Sequence, residues 1–203
     1  MIELHHLNES RSRRITWLLE ELGVKYAVIR YQRDPATRLA PPELMAIHPL
    51  GKAPVLRDGP HTIIESGAIV DYLVRHYGKG RFSPAIDSAD YEQYMQLMHY
   101  AEGSAALPLL LKLYVGRLGE AGAPLHPRIE SEIANHLGWL ERTLGDRAYF
   151  VGDHLTGADV QLLFIAQLAV RMQGAEAFPH LTTFASRMEA RPAYQRAITQ
   201  HGV

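Results

Sequence analysis

Cysteine is absent from all 203 residues. Without a thiol there is no disulfide, no thiolate metal site and no redox-active Cys-x-x-Cys pair, so dithiol catalysis by the protein's own sulfur is excluded. A surplus of either charge is lacking too. Lys and Arg number 21 against 22 Asp and Glu, so nothing in the balance favours nucleic acid or an anionic membrane as a partner. No stretch approaches the ~18 apolar residues that a membrane span needs, and the N-terminus carries no basic and apolar leader, so a cytoplasmic location is expected. The patterns GxSxG, Walker A and GxGxxG are also missing, which leaves hydrolase, nucleotidase and dinucleotide-binding readings without an anchor. There is no internal repeat or low-complexity tract. What is present is 47% hydrophobic residues, enough for one large or two modest globular domains with a real core.

Taken in order, Ile2 to His6 reads as a short strand. Asn8 to Ser12 is a polar turn into a helix from about Arg11 to Leu22, with Ile15, Leu18, Leu19 and Leu22 as the buried stripe and Gly23 as the stop. Tyr26 to Tyr31 is a second strand. A strand, helix and strand of this length imply a parallel pair with a right-handed crossover. A polar, proline-bearing loop over 32–42 and a short helix near Glu43 to Ile47, ended by Pro49, lead to the stretch around which the chain is organised.

That stretch runs from His48 to Tyr72. Two apolar runs, Val55 to Leu56 and Thr62 to Ile64, flank the turn formers Asp58, Gly59 and Pro60, predicting an antiparallel hairpin. A helix follows at once, with Ser66 as a plausible N-cap, Glu65 just outside its positive end, and Ile69, Val70, Leu73, Val74 and Tyr77 as its apolar face. Pro54 opens the hairpin, where its missing N–H does no harm. If its bond to Ala53 is cis, the preceding backbone is turned outward and available to a ligand.

After Tyr77, Gly78 to Arg81 and Ser83-Pro84 read as a linker, and beyond Ser88 strand signals disappear. One long helix is predicted over Ser88 to Gly116, bent at Gly103 and Pro108. A second begins near Pro127, carries Ile129, Ile133, Leu137, Leu140 and Leu144 on one side, and stops at Gly145. Thr156 to Asp159 forms a capping-box variant before an almost wholly apolar segment, Val160 to Val170, which belongs at the centre of its domain. Two further helices follow, marked by Leu181, Phe184 and Met188 and by Pro192.

Gly51, Lys52, Ala53 and Pro54, then Glu65, Ser66 and Gly67 leading into a helix, together with the opening segment from Leu4 to Tyr26 and the late Thr156 to Val160, closely resemble the glutathione S-transferase superfamily. The resemblance spans the whole chain. It implies a thioredoxin-like α/β glutathione-binding domain over 1–78, a linker over 79–87 and an all-helical electrophile-binding domain over 88–203. It also implies a transferase that conjugates the thiol of its co-substrate glutathione to small hydrophobic electrophiles, with no metal, and a two-fold homodimer. By the same resemblance Glu65 would take the γ-glutamyl amine, Ser66 its carboxylate and Lys52 the glycyl carboxylate. Ala53, held by Pro54, would pair its backbone with the cysteinyl unit. Ser10 stands where serine-type members carry the catalytic hydroxyl. The common catalytic tyrosine has no counterpart near the end of the first strand, and His48 stands where many members have asparagine.

Each of these residues also has a plainer reading. Glu65 and Ser66 alone could be no more than a helix cap, but a cap needs no proline-opened strand upstream, whereas a bound peptide needs both backbone and charge recognition. Ser10 could likewise be an N-cap, with Ser12 competing for that role and Asn8 and Arg11 as alternative thiol partners. His99 and Glu102 have the i, i+3 spacing of a ligand pair, but no second pair answers it, and His5 and His6 point to opposite faces of a strand. Tyr91, Tyr94, Met95, Met98, Leu107 and Tyr114 read as core or dimer contacts, and a subset with Tyr100 and Leu111 as candidate acceptor-pocket residues. The fold alone licenses no activity. A non-catalytic binding or assembly module, or a glutathione-dependent peroxidase or isomerase, stands beside the transferase reading.

Overall fold

The computed structural model describes residues 1–201, in two units. The first comprises Met1–Arg81 together with the chain from Glu189, and the second is Phe82–Met188. In the first unit β1 (Ile2–Leu7), helix α1 (Ser12–Leu22) and β2 (Tyr26–Tyr31) make the expected parallel pair, Leu7 lying opposite Tyr31. After a short α2 (Pro42–Ile47), β3 (Val55–Asp58) and β4 (His61–Ile63) complete a mixed sheet in the order β2-β1-β3-β4, and α3 (Ser66–Tyr77) follows. β1 is thus interior, and both its faces are covered: Leu4 and Leu7 are buried, and so are His5 and His6. The α1 stripe is wholly buried along with Trp17. Gly23 ends the helix in the left-handed region at φ 67°, and its N–H reaches back to the Leu19 and Glu20 carbonyls.

The second unit is helical. The long helix predicted from Ser88 begins instead at Tyr91 and runs as α4 (Tyr91–Tyr100), a π-turn over Ala101–Ala105 and α5 (Ala106–Gly116). Gly103 lies inside the π-turn. Pro108 follows directly, and the widened turn accommodates a residue that offers no N–H and whose ring crowds the carbonyl four positions back. A 3-10 turn leads into α6 (His126–Leu144), whose five predicted apolar positions are all buried. α7 (Gly157–Gln173) opens with the capping box. The wholly buried Asp159 carboxylate accepts the Phe150 and Thr156 N–H groups, each at 2.8 Å, and the Thr156 hydroxyl at 2.9 Å. α8 (Pro179–Glu189) closes this unit.

α9 (Pro192–His201) belongs with the sheet, not with the helices that precede it. Arg191 donates to both Glu21 carboxylate oxygens, at 2.6 and 3.1 Å, Arg196 pairs with Glu20 at 2.8 Å, and Tyr194 meets Trp17 edge-on at 5.7 Å. A helical domain running over 88–203 therefore differs from the observed division at its C-terminal end. No helix among the described residues is long and apolar enough to cross a membrane.

Candidate functional site

The strand registers bring the predicted residues to one end of the sheet. β1 lies against β3 with His5 opposite Val55, and β3 against β4 with Leu56 opposite Ile63. Continued past the last ladder bond, the first register sets the end of β1 beside Ala53 and Pro54, and the second sets Pro54 beside Glu65. The Ala53–Pro54 bond is cis. Gly51 precedes it at φ 56°, a backbone shape that favours glycine, and a Cβ there would lie 2.8 Å from Cγ of the exposed Met45 side chain, which would have to turn away. His48 supports this bend: its Nδ1 accepts the Leu50 N–H at 3.3 Å and its carbonyl the Gly51 N–H at 2.9 Å.

Glu65, and not Ser66, occupies the N-cap position of α3, and Ser66 is the first helical residue. Glu65 is exposed and adopts φ 64°, a left-handed conformation that a non-glycine side chain takes only where its surroundings impose it. Its carbonyl accepts the Ile69 N–H at 2.9 Å, which starts the helix while leaving the carboxylate outside. Ser66 is buried, and its hydroxyl accepts a hydrogen bond from Arg14 Nη1 at 3.0 Å. Arg14 is itself only 4% exposed. It stands in the first turn of α1, so this one bond brings the N-termini of α1 and α3 together. Two helix N-termini and a buried guanidinium give this end of the sheet a positive character, with the Glu65 carboxylate outside it.

Ser10 lies just ahead of α1, half-buried. Its Oγ accepts the Ser12 N–H at 3.2 Å and forms a close hydroxyl pair with Ser12 Oγ. Ser12 is fully buried, and its Oγ is 3.4 Å from the Leu7 N–H, which donates to it. Either hydroxyl can donate in this pair, and where Ser12 does so the Ser10 O–H is left to donate elsewhere. Asn8 uses its side-chain carbonyl to accept the Arg33 N–H at 2.8 Å, a bond that does not involve its amide N–H groups. Lys52 is exposed, Ala53 half-buried and Pro54 buried.

Residues 1–75 match the family described as glutathione S-transferase, N-terminal domain, and residues 94–192 its C-terminal domain. Glutathione S-transferase 3 of Schizosaccharomyces pombe is 36% identical over 178 residues, covering 81% of this chain and 72% of its own. The chain belongs to the glutathione S-transferase family. Among solved structures, a glutathione S-transferase of Actinobacillus pleuropneumoniae superposes with a TM-score of 0.90 at 34% identity, over 98% of this chain and 92% of its own. A glutathione transferase family member of Pseudomonas fluorescens, solved with two glutathione molecules bound, has a TM-score of 0.81 at 27% identity, over 97% and 92% of the two chains.

In this transferase, Arg14 and Arg33 are the site-region residues that sequence reasoning did not single out. An arginine among Arg11, Arg13 and Arg14 carries no local mark of burial, and its partner Ser66 is 52 residues away. In the helical unit Tyr94 and Met98 are core, whereas Leu107 and Tyr114 are more than half exposed and Leu111 is 40% exposed. Tyr100 pairs its hydroxyl with His136 Nδ1 at 2.6 Å, and burial, helped by the nearby Glu132, pushes that phenol up to about 12. It is thus engaged inside its own unit. His99 is exposed at the end of α4, and among the described residues no three His, Asp or Glu side chains gather as a metal site.

Proposed function

We propose that this transferase binds glutathione at the sheet end described above and adds its thiolate to the electrophilic carbon of small hydrophobic compounds. The observation that carries the reading is the Arg14–Ser66 hydrogen bond, which joins two helix N-termini beside the left-handed Glu65. Glutathione has an α-amino group and two carboxylates, and the groups here answer each. Glu65 takes the γ-glutamyl amine, Ser66 and the α3 N-terminus its carboxylate, and Lys52 the glycyl carboxylate. The Ala53 backbone pairs with the cysteinyl unit as an added strand would. The Pseudomonas fluorescens relative is a glutathione-bound member of the same family, which supports this choice of ligand.

In the reaction the sulfur forms a bond to carbon while the leaving group departs with its electron pair. The thiol is the obstacle: near pKa ~8.5 it is mostly protonated at neutral pH, and rate is gained by holding the thiolate. Ser10 donates to that thiolate, with the backbone N–H groups of the α1 N-terminus beside it. The exposed Leu107, Leu111 and Tyr114 offer apolar surface for the electrophile. The active species is a cytoplasmic homodimer.

Retention on immobilised glutathione together with turnover of a generic aryl halide tests the reading. Glu65→Ala removes a charged hydrogen-bond partner and is expected to weaken glutathione by about 1–3 kcal/mol. Calorimetry that finds unchanged affinity in the folded variant takes Glu65 out of the site. One observation favours a second reading, a binding module without turnover: Ser10 Oγ already accepts the Ser12 N–H, which gives it a structural task in the turn ahead of α1. Retention without turnover decides for it.

A further inference from the structure

We infer that Arg33 is a positioning residue, whose guanidinium holds the turn from Asn8 to Ser10 in the backbone shape that thiol activation needs. The inference rests on the glutathione site proposed above. Between the end of β1 at Leu7 and the start of α1 at Ser12 the chain has only four residues in which to turn. It does so through Glu9 at φ 51°, a left-handed conformation with no glycine to ease it. Something must impose that conformation, and Arg33 is placed to do so.

Arg33 stands two residues beyond Tyr31, the last residue of β2, which pairs with Leu7. Its backbone N–H donates to Asn8 Oδ1 at 2.8 Å and its Nε to the Asn8 carbonyl at 3.1 Å. Its Nη2 donates to the Glu9 carbonyl at 3.3 Å and its Nη1 to the Arg38 carbonyl at 3.0 Å. Three carbonyls thus share one planar fork. Two of them belong to Glu9 and Arg38, both left-handed, the second at φ 62°, and the side chains of these two residues form an ion pair with each other.

The Glu9 carbonyl is half of the peptide plane whose other half is the Ser10 N–H. Fixing that oxygen fixes the direction in which the chain enters Ser10, and hence where Ser10 Oγ lies. The fork itself is anchored from behind. Asp34 Oδ1 accepts the Ala36 and Thr37 N–H groups at 3.0 and 2.6 Å, and the Asp34 carbonyl accepts the Arg38 N–H at 2.9 Å, so the Arg38 carbonyl presents a firm surface. Lysine carries the same charge but no planar fork and cannot span three carbonyls.

This separates position from charge. The probe is the pH profile of kcat/KM with glutathione and a generic aryl halide, alongside calorimetric glutathione affinity and thermal melting. In Arg33→Lys the pH midpoint is expected to rise and kcat/KM at neutral pH to fall about tenfold, with glutathione affinity kept within about twofold because the peptide's charged ends are untouched. Arg33→Ala should match it, and adding Arg33→Lys to Ser10→Ala should move the midpoint no further than Ser10→Ala does. A lysine variant with the wild-type midpoint overturns the inference, whether it melts lower or not, since Arg33 then acts only through charge or loop stability. If Arg33→Ala does not fold, the lysine variant alone carries the test. If Ser10→Ala leaves the midpoint in place while Arg33→Lys moves it, the role given to Ser10 falls and the hold of Arg33 on the turn stands.

Discussion

Ser10 is a single hydroxyl asked to fill two roles. In the turn ahead of α1, whose N-cap is Arg11, it accepts the Ser12 N–H, and as a thiolate partner it donates its own proton outward, and one hydroxyl oxygen can accept on one side and donate on the other. The roles differ in what their loss does. Ser10→Ala is expected to lower turnover and to raise the pH midpoint of the reaction, because an unassisted thiol ionises at higher pH, while glutathione affinity stays nearly intact. A pure cap would cost roughly 1 kcal/mol of stability and leave the kinetics alone. A midpoint that does not move in Ser10→Ala removes it from the chemistry. Ser10, Glu65 and Ser66 could be placed in the sequence where a local pattern ends, a strand before a helix or a hairpin before a helix, and it was the family resemblance that gave them roles. Arg14 could not, since nothing local distinguishes a buried arginine from the neighbours Arg11 and Arg13. Nor could the left-handed Glu65, whose conformation is imposed by the hairpin and the helix together. Cap positions shifted for the same reason, Ser66 moving inside α3 and Arg11, neither Ser10 nor Ser12, standing at the N-cap of α1, of which Ser12 is the first residue.

At the scale of elements, α7 is where sequence and structure agree most fully, because a capping box and an apolar segment are both local signals. Its consequence for pH was not legible. Burial pushes the Asp159 carboxyl up from its ordinary 3.8 to about 6, against the pull of the Phe150 and Thr156 hydrogen bonds. A carboxyl raised in the folded state binds its proton more tightly there than in the unfolded chain. Its contribution is therefore fully present below about pH 4, is lost as pH rises through about 6, and changes no further above that. Asp159→Asn has no proton to bind and offers a single acceptor to groups that now take both carboxylate oxygens. It should be less stable by about 2–4 kcal/mol, and the gap to wild type should narrow between pH 4 and pH 6 in urea denaturation. A gap that stays constant or widens over that range would show that the carboxylate is ionised throughout. The long helix of the second unit was less legible. Gly103 and Pro108 announced a break, but a bend and a π-turn carry the same sequence signal, and packing chose between them.

For the molecule as a whole, composition and the loss of strand signals after Ser88 were enough to expect two domains of different class. They were not enough to assign the last helix. An amphipathic segment announces a buried face without naming what covers it, and here the partner is α1, with Arg191 bound to Glu21 at a separation of 170 residues. The same ambiguity attends the exposed apolar side chains of α5. Leu107, Leu111 and Tyr114 recur at i, i+4 and i+7, so they share one helix face, and each is at least 40% exposed. Such a face is suited to an apolar ligand or to a second copy of the chain. The proposed function assigns it to the electrophile, and the proposed homodimer would then form through other surfaces, in which the partly exposed Tyr91 and Met95 of α4 are available. Light scattering is expected to give twice the 22.8 kDa of the single chain, and a 22.8 kDa species at micromolar concentration would count against the dimer. Leu111→Lys separates the two uses of the α5 face. If the electrophile lies there, a charge is expected to weaken it by about 1 kcal/mol, roughly fivefold in kcat/KM, with glutathione affinity and oligomeric state unchanged. Should the variant instead dissociate to single chains with its kinetics per site unchanged, the face is an interface between copies and the electrophile is held elsewhere.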